Sequence, residues 1–294
     1  MIEIENLTKV YPNGKRALNS LSLNIHEGMF GLIGPNGAGK TTLMRILATL
    51  LTPTAGRVLI FGKDLQTPEG KVSTRKSLGY LPQEIGFHLK LTVEQELDYF
   101  AILKNITDPK DRNRQIDNVL EQIGLRSARK ERIHTLSGGM KRRLGIGIAL
   151  LGSPKLLIVD EPTASLDPAE RVHFRNLLFQ LAGKRIVILS THIIEDVNQV
   201  CSDLAVITNG NLLFHGAPEI LLSQVKGKVR IVPESELNAE KNLRLISSKT
   251  TPSGTEHRVL SSEKPSHTSE NIEPTLEDAY LWLIQQTSEE SENV

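Results

Sequence analysis

Gly34, Pro35, Asn36, Gly37, Ala38, Gly39, Lys40, Thr41 and Thr42 follow one another in a stretch suited to gripping phosphate. A bound nucleoside triphosphate presents a row of negative oxygens that several backbone N–H groups must approach at once. Glycines permit the required backbone angles and approaches. The apolar residues 29–33 read as a buried strand, and Lys40, Leu43, Leu47 and Leu51 as the helix it feeds, so the positive end of that helix faces the phosphates. Lys40 is expected to reach the β- and γ-phosphates. The Thr41 hydroxyl is expected to ligate a Mg²⁺ that bridges the same oxygens, with Thr42 as a second hydroxyl at hand.

Asp160 and Glu161 stand where a buried apolar run, residues 156–159, leaves the core. That places both carboxylates at the C-terminal edge of a sheet, where ligands bind in open α/β folds. Asp160 is expected to hold the metal's shell and Glu161 to polarise a water for in-line attack, while Pro162 ends the strand. His192 closes the next apolar run and arrives at the same edge. Ser137, Gly138 and Gly139 open a further helix, which carries Leu144, Ile148 and Leu151 on one face, and its start is a second anion site. One nucleotide cannot easily sit on two distant helix starts of one domain. The second start is therefore expected to serve the ATP of a neighbouring copy, in a head-to-tail dimer.

The elements that must hold these groups alternate. Ile2, Ile4, Leu21, Leu23 and Ile25 alternate with polar residues and predict a small antiparallel sheet at the start; after the phosphate loop and its helix, residues 58–61 have strand character and 77–81 reads as another short strand. Residues 84–152 read as a mostly helical insertion: Thr92 with Gln95 has capping-box spacing, and Val93, Leu97, Phe100 and Ala101 share one face. Strands at 156–159 and 186–189 with a helix between them imply a parallel sheet wrapped by helices. Past Leu222 come strand signals at 228–232 and 258–260, a polar stretch at 261–275 that reads as a linker, a short closing helix at 279–284 and a solvated acidic tail.

The whole chain has 294 residues with 39% hydrophobic content, enough for one large domain and an appendage. A net charge of +1, and no basic run longer than Lys141-Arg142-Arg143, give no indication of direct nucleic-acid or anionic-lipid binding. The single Cys201 reads as a small apolar residue in a reducing compartment, and no His or Cys cluster has zinc-ligand spacing. No stretch has the length of a membrane span, and the first residues lack a signal peptide's parts, so a cytoplasmic location is expected.

Together these motifs resemble the ATP-binding-cassette family over roughly residues 1–222. The resemblance implies a P-loop NTPase core of RecA-like α/β type with a mainly parallel sheet. It also implies an N-terminal antiparallel β subdomain, the helical insertion subdomain at 84–152 and a small C-terminal appendage at 223–294. It implies an ATPase with ATP and Mg²⁺ as ligands. Lys40, Glu161, His192 and Gln83 would form the catalytic group, and Thr41, Gln83 and Asp160 the metal group. Tyr11 would stack on adenine, and the Ser165-Leu166-Asp167 loop would contact the opposite subunit.

The implied partners are a second copy or a homologous ATPase subunit, and a separate transmembrane permease that holds the chain at the cytoplasmic face of the membrane. Residues 84–100, with Phe87, His88 and Lys90 exposed, would dock that permease. The signature run departs from many members at Met140, where they carry a Gln able to donate. Its form, with the tail from Pro274 to Leu281, resembles the branch working in export. An alternative is a soluble cassette ATPase acting on DNA or the ribosome. Such relatives usually carry two cassettes, coiled-coil arms or zinc insertions that this chain lacks. A third reading is a regulatory module that binds ATP without turnover; Glu161 and His192 speak for turnover.

Overall fold

A computed structural model of the chain describes residues 1–163, 166–234, 243–252, 254–261 and 270–292. They form two compact units, residues 1–215 and 216–294.

The first unit opens with β1 (Ile2–Val10) and β2 (Arg16–Ile25), then β3 (Gly28–Ile33) and α1 (Lys40–Leu47), followed by β4 (Ala55–Ile60) and β5 (Lys63–Asp64). Strands β2, β1, β4 and β5 lie side by side, all antiparallel, with Ile2, Ile4, Leu21, Leu23 and Ile25 buried beneath them. Their alternating pattern buries one face and leaves Glu3, Ser22 and Asn24 on the other.

The helical part comes after α2 (Pro68–Ser77) and β6 (Leu78–Leu81), as α3 (Val93–Leu103), α4 (Pro109–Gln122) and α5 (Gly138–Leu150). The capping box at the start of α3 is complete: Gln95 N–H donates to Thr92 Oγ1 at 3.2 Å and Thr92 N–H to Gln95 Oε1 at 2.9 Å. The chain continues through β7 (Leu156–Asp160), α6 (Pro168–Ala182), β8 (Ile186–Thr191), α7 (Ile194–Val200), β9 (Asp203–Thr208) and β10 (Asn211–Gly216). The main sheet has the order β10, β9, β3, β8, β7, β6, and the pairs β9·β3, β3·β8, β8·β7 and β7·β6 are parallel. Every residue of β7 and of β8 is buried, as the near-continuous apolar runs of a sheet covered on both faces require.

The second unit contains α8 (Pro218–Ser223), β11 (Val229–Pro233), β12 (Arg244–Thr251), β13 (Gly254–Leu260), β14 (Glu270–Asn271) and the closing helix Leu276–Glu292. Its sheet has the order β12, β13, β11, β14.

The structure differs from the sequence reading in several places. Helix α2 was not expected: it buries only Gly70 and Thr74, so no apolar stripe marks it, and it stands on the Thr67 cap with Pro68 in its first turn. Strands β9 and β12 were also unread, the second because it is a mostly exposed edge strand. Within the stretch expected to be a linker, β14 pairs with Arg230 and Ile231, while residues 262–269 lie outside the described ones. The closing helix runs beyond 279–284 at both ends: Thr275 and Asp278 cap its start, and at its far end it takes in the acidic residues expected as a tail. Among the described residues no helix is long and apolar enough to cross a membrane.

Candidate functional site

Strand β3 delivers the chain into the phosphate loop and α1 leaves it. Gly39, immediately before α1, has φ +109°, and a Cβ there would lie 2.4 Å from the Ala17 carbonyl oxygen. Gly34 is held by proximity instead: its Cβ would come within 2.2 Å of the Ile207 carbonyl on β9. No side chain caps α1 and no acidic residue stands in its first turn, so its first amides and the helix dipole face the loop with nothing negative to cancel them. Lys40, buried at the first position of α1, donates from Nζ to the Gly34 carbonyl at 2.6 Å and to the Pro35 carbonyl at 3.2 Å.

The acids arrive from β7. Asp160 is 1% exposed, and neither of its carboxylate oxygens has a hydrogen-bond partner in full bonding geometry, although the Ser190 and Thr41 hydroxyls act on it. Burial pushes its carboxyl above the usual carboxylate range, and the Glu161 charge adds to this. The Ser190 and Thr41 hydroxyls and the Lys40 ammonium pull the other way. Glu161 takes φ +46°, with its N–H donating to Ser190 O on β8 at 2.9 Å. From there its carboxylate meets Lys40 Nζ at 3.5 Å through Oε1 and His192 Nδ1 at 2.6 Å through Oε2. Lys40, Glu161 and His192 are thus joined in one chain of contacts.

These groups surround a cleft of about 500 Å³, lined by Tyr11, Lys15, Ala17, Asn36, Gly37, Ala38, Gly39, Lys40, Thr41, Thr42, Arg45, Gln83, Glu161 and His192. Its cations, amides and hydroxyls match a polyanion. The two buried Asp160 oxygens, with Thr41 and Gln83, make an all-oxygen donor set of the kind that suits Mg²⁺, so the residues fit that ion.

Of the residues singled out by sequence, Tyr11, 36–42, Gln83, Glu161 and His192 meet at this cleft. Gly34 and Pro35 do not line it but accept from Lys40, and Asp160 does not line it either, lying buried beside Glu161 at the end of β7. The Tyr11 hydroxyl also shares a 3.2 Å hydrogen bond with Thr42 Oγ1. Ser137, Gly138, Gly139 and Asp167 do not line it. Ser137 Oγ accepts from Met140 N–H at 3.1 Å and caps α5, and Gly139 lies against Glu170. Asp167 caps α6 by accepting from Glu170 N–H at 2.8 Å, and Ser165 lies outside the described residues.

On the segment 84–100, His88 and Lys90 are exposed, but Phe87 is only half-exposed, a correction to the expectation. His88 is also engaged, its ring Nδ1 lying 3.0 Å from the fully buried Glu96 carboxylate.

The sequence reading missed Lys15, Arg45 and Arg142. Arg45 stands one helical turn after Thr41 and Thr42, so helix periodicity was the signal that would have found it. Arg142 was read only as part of a short basic run. Its guanidinium instead reaches five backbone carbonyls around the acids.

A family model described as ABC transporter matches residues 18–164. ATP-binding cassette sub-family A member 2 of Rattus norvegicus is 39% identical over 220 residues, 74% of this chain, and the match spans only 9% of that protein's length. The uncharacterised ABC transporter ATP-binding protein YxlF of Bacillus subtilis is 36% identical over 230 residues, 78% of this chain and 75% of that protein. Among solved structures, the dimeric post-hydrolysis state of the cassette MJ0796 bound to ADP and Pi superposes with a TM-score of 0.67. It is 25% identical, over 74% of this chain and 98% of that one.

Proposed function

Because the chain belongs to the ABC transporter family of ATP-binding proteins, we propose that it is the energising subunit of an export system. Two copies close head to tail around two ATP, and hydrolysis reopens them. The motion drives a separate transmembrane permease that holds the subunits at the cytoplasmic face of the membrane. The observation that carries this reading is that the start of α5 stands apart from the cleft. The cleft gathers Lys40, Glu161 and His192, yet Ser137, Gly138 and Gly139 lie outside it, available to a neighbour's nucleotide.

In this reading the α1 amides and Lys40 bind the β- and γ-phosphates, and Tyr11 stacks on the base. The Glu161 carboxylate accepts a proton from the attacking water, while His192 holds that carboxylate and faces the γ-phosphate. Thr41, Asp160 and Gln83 would hold Mg²⁺, which when bound neutralises charge on the phosphate oxygens. The signature start of the partner copy and its Asp167 loop complete the site from across the interface. The closure step is supported by the MJ0796 cassette, which is a dimer in its ADP- and Pi-bound state.

The test is Glu161→Gln. Turnover is expected to fall on the order of 10²- to 10³-fold, as for loss of a general base, while saturating ATP with Mg²⁺ gives a dimer by light scattering. A variant that stays monomeric under those conditions sinks the closure mechanism. Lys40→Ala is expected to abolish ATP binding, and unchanged affinity would remove Lys40 from the site.

A further inference from the structure

Arg142 sits in the first turn and a half of α5, but its guanidinium binds nothing in that helix. Nε donates to the Pro162 carbonyl at 2.9 Å. One terminal nitrogen donates to the carbonyls of Gln83 at 2.8 Å and Pro82 at 3.3 Å, the other to those of Glu161 at 2.7 Å and Asp160 at 3.2 Å. A guanidinium has five N–H donors in a rigid plane. Here each has a backbone carbonyl, two on the turn that carries Gln83 and three in succession on the chain leaving β7.

Those three carbonyls belong to the two acids and the proline behind them. Glu161 holds a left-handed φ of +46°, a conformation that persists in a non-glycine residue only where the surroundings impose it. Its peptide groups are fixed on both sides, the N–H by Ser190 O at 2.9 Å and the C=O by Arg142 at 2.7 Å. The direction of the Glu161 side chain, and so its contacts with Lys40 and His192, follows from that pinned backbone.

We propose that Arg142 is a positioning residue. It sets the Glu161 carboxylate and yokes the Gln83 turn and the start of α5 to it, so that displacement of either is delivered to the acids. The proposal rests on the cleft being an ATPase site. It adds a link between three segments that the sequence presents as separate motifs. The chemistry needs arginine: a lysine ammonium has three donors on a tetrahedral head and cannot serve five carbonyls spread over two loops.

The test uses the full chain and measures steady-state ATP turnover together with ATP affinity by calorimetry, for wild type, Arg142→Met and Arg142→Lys. Arg142→Met is expected to lose about 100-fold in kcat, the scale of a misplaced catalytic group, with ATP affinity within about threefold, since Arg142 does not line the cleft. Arg142→Lys is expected to stay folded and recover little of the loss. Low millimolar guanidinium is expected to raise the kcat of an Arg142→Ala variant and leave wild type unmoved.

Wild-type kcat in a folded Arg142→Met overturns the assignment. So does full recovery in Arg142→Lys, which would reduce the role to charge, and so does a loss of affinity as large as the loss of kcat. If Arg142→Met does not fold, the Lys variant decides alone: folded and slow supports the proposal, folded and fast overturns it. A wild-type chain without turnover, even with a membrane partner supplied, removes the ATPase reading and the proposal with it.

Discussion

At Gly34 the loop passes so near β9 that a single methyl group would strike the Ile207 carbonyl. Since that obstacle is backbone, the loop must move. Gly34→Ala is expected to lower ATP affinity at least tenfold and to cost about 1–3 kcal/mol in thermal stability by overpacking. Gly37→Ala meets open space, bears only the strain of its φ of +84°, and should cost about 1 kcal/mol with a smaller loss of affinity. Calorimetric titration of ATP on the two variants makes the comparison, and equal affinities would show that the close approach does not matter. Spacing pointed to the loop residues, Asp160, Glu161 and His192 as candidates, and the structure sets the loop residues 36–42, Glu161 and His192 around one cleft. Arg142 was not readable in this way. Its partners are carbonyls, which every residue has, so nothing in the sequence marks them.

Among the elements, α6 and α7 are tied to the acids by a buried network. Thr163 Oγ1 donates to Asp196 Oδ2 at 2.6 Å, and Arg175 lies 3.4 Å from Asp196 Oδ1, with all three side chains buried. Asp196→Ala leaves the Arg175 charge buried without its counter-ion, and is expected to destabilise the first unit by about 3–4 kcal/mol. Thr163→Val removes one hydrogen bond and is expected to cost about 1 kcal/mol. Thermal denaturation of both variants checks the order, and an Asp196→Ala protein as stable as wild type would show that water reaches Arg175. Element by element, legibility mostly followed burial, with β9 as the exception: it is largely buried, yet it went unread. Strands β3, β7 and β8 and helix α3 carry apolar runs or a complete capping box, whereas α2 and β12 bury too little to leave a pattern.

Across the whole molecule, the second unit has its own interior, including Val229, Val232, Val259, Leu260, Leu276 and Ala279. Its closing helix is pinned at the start by Asp278, which accepts from Arg258 at 2.8 and 2.5 Å and from Thr275 N–H at 2.6 Å. Burial pushes the Asp278 carboxyl up, but the hydrogen bonds from Arg258 and Thr275 outweigh it and hold the group below the usual carboxylate range. A carboxyl held low in the folded state stabilises at every pH above its unfolded value, near 3.8. That contribution is lost as acid titrates the group downward through its folded value. Asp278→Asn is therefore expected to cost about 2 kcal/mol at neutral pH, less than a fully buried pair because Arg258 keeps some water. The gap from wild type should close below pH 3.8. Hydrogen exchange of residues 276–286 from about pH 7 to about pH 2.5 reads this directly, and a gap independent of pH would assign the loss to something other than the charge.

The position of β3 in the main sheet bears on how the protein is made. It pairs on one side with β8, where Gly28 faces Ile186, and on the other with β9, where Ile33 faces Val206. The phosphate loop therefore leaves the ribosome before either wall that holds its strand, both being synthesised roughly 150 residues later. At about 5–20 residues per second, a nascent chain carries its loop for roughly eight to thirty seconds without either wall. Contacts so distant in sequence also make the sheet slow to close. The nucleotide cradle is thus among the last parts of this unit to assemble, and during synthesis ATP can reward only chains that have already grown past β9.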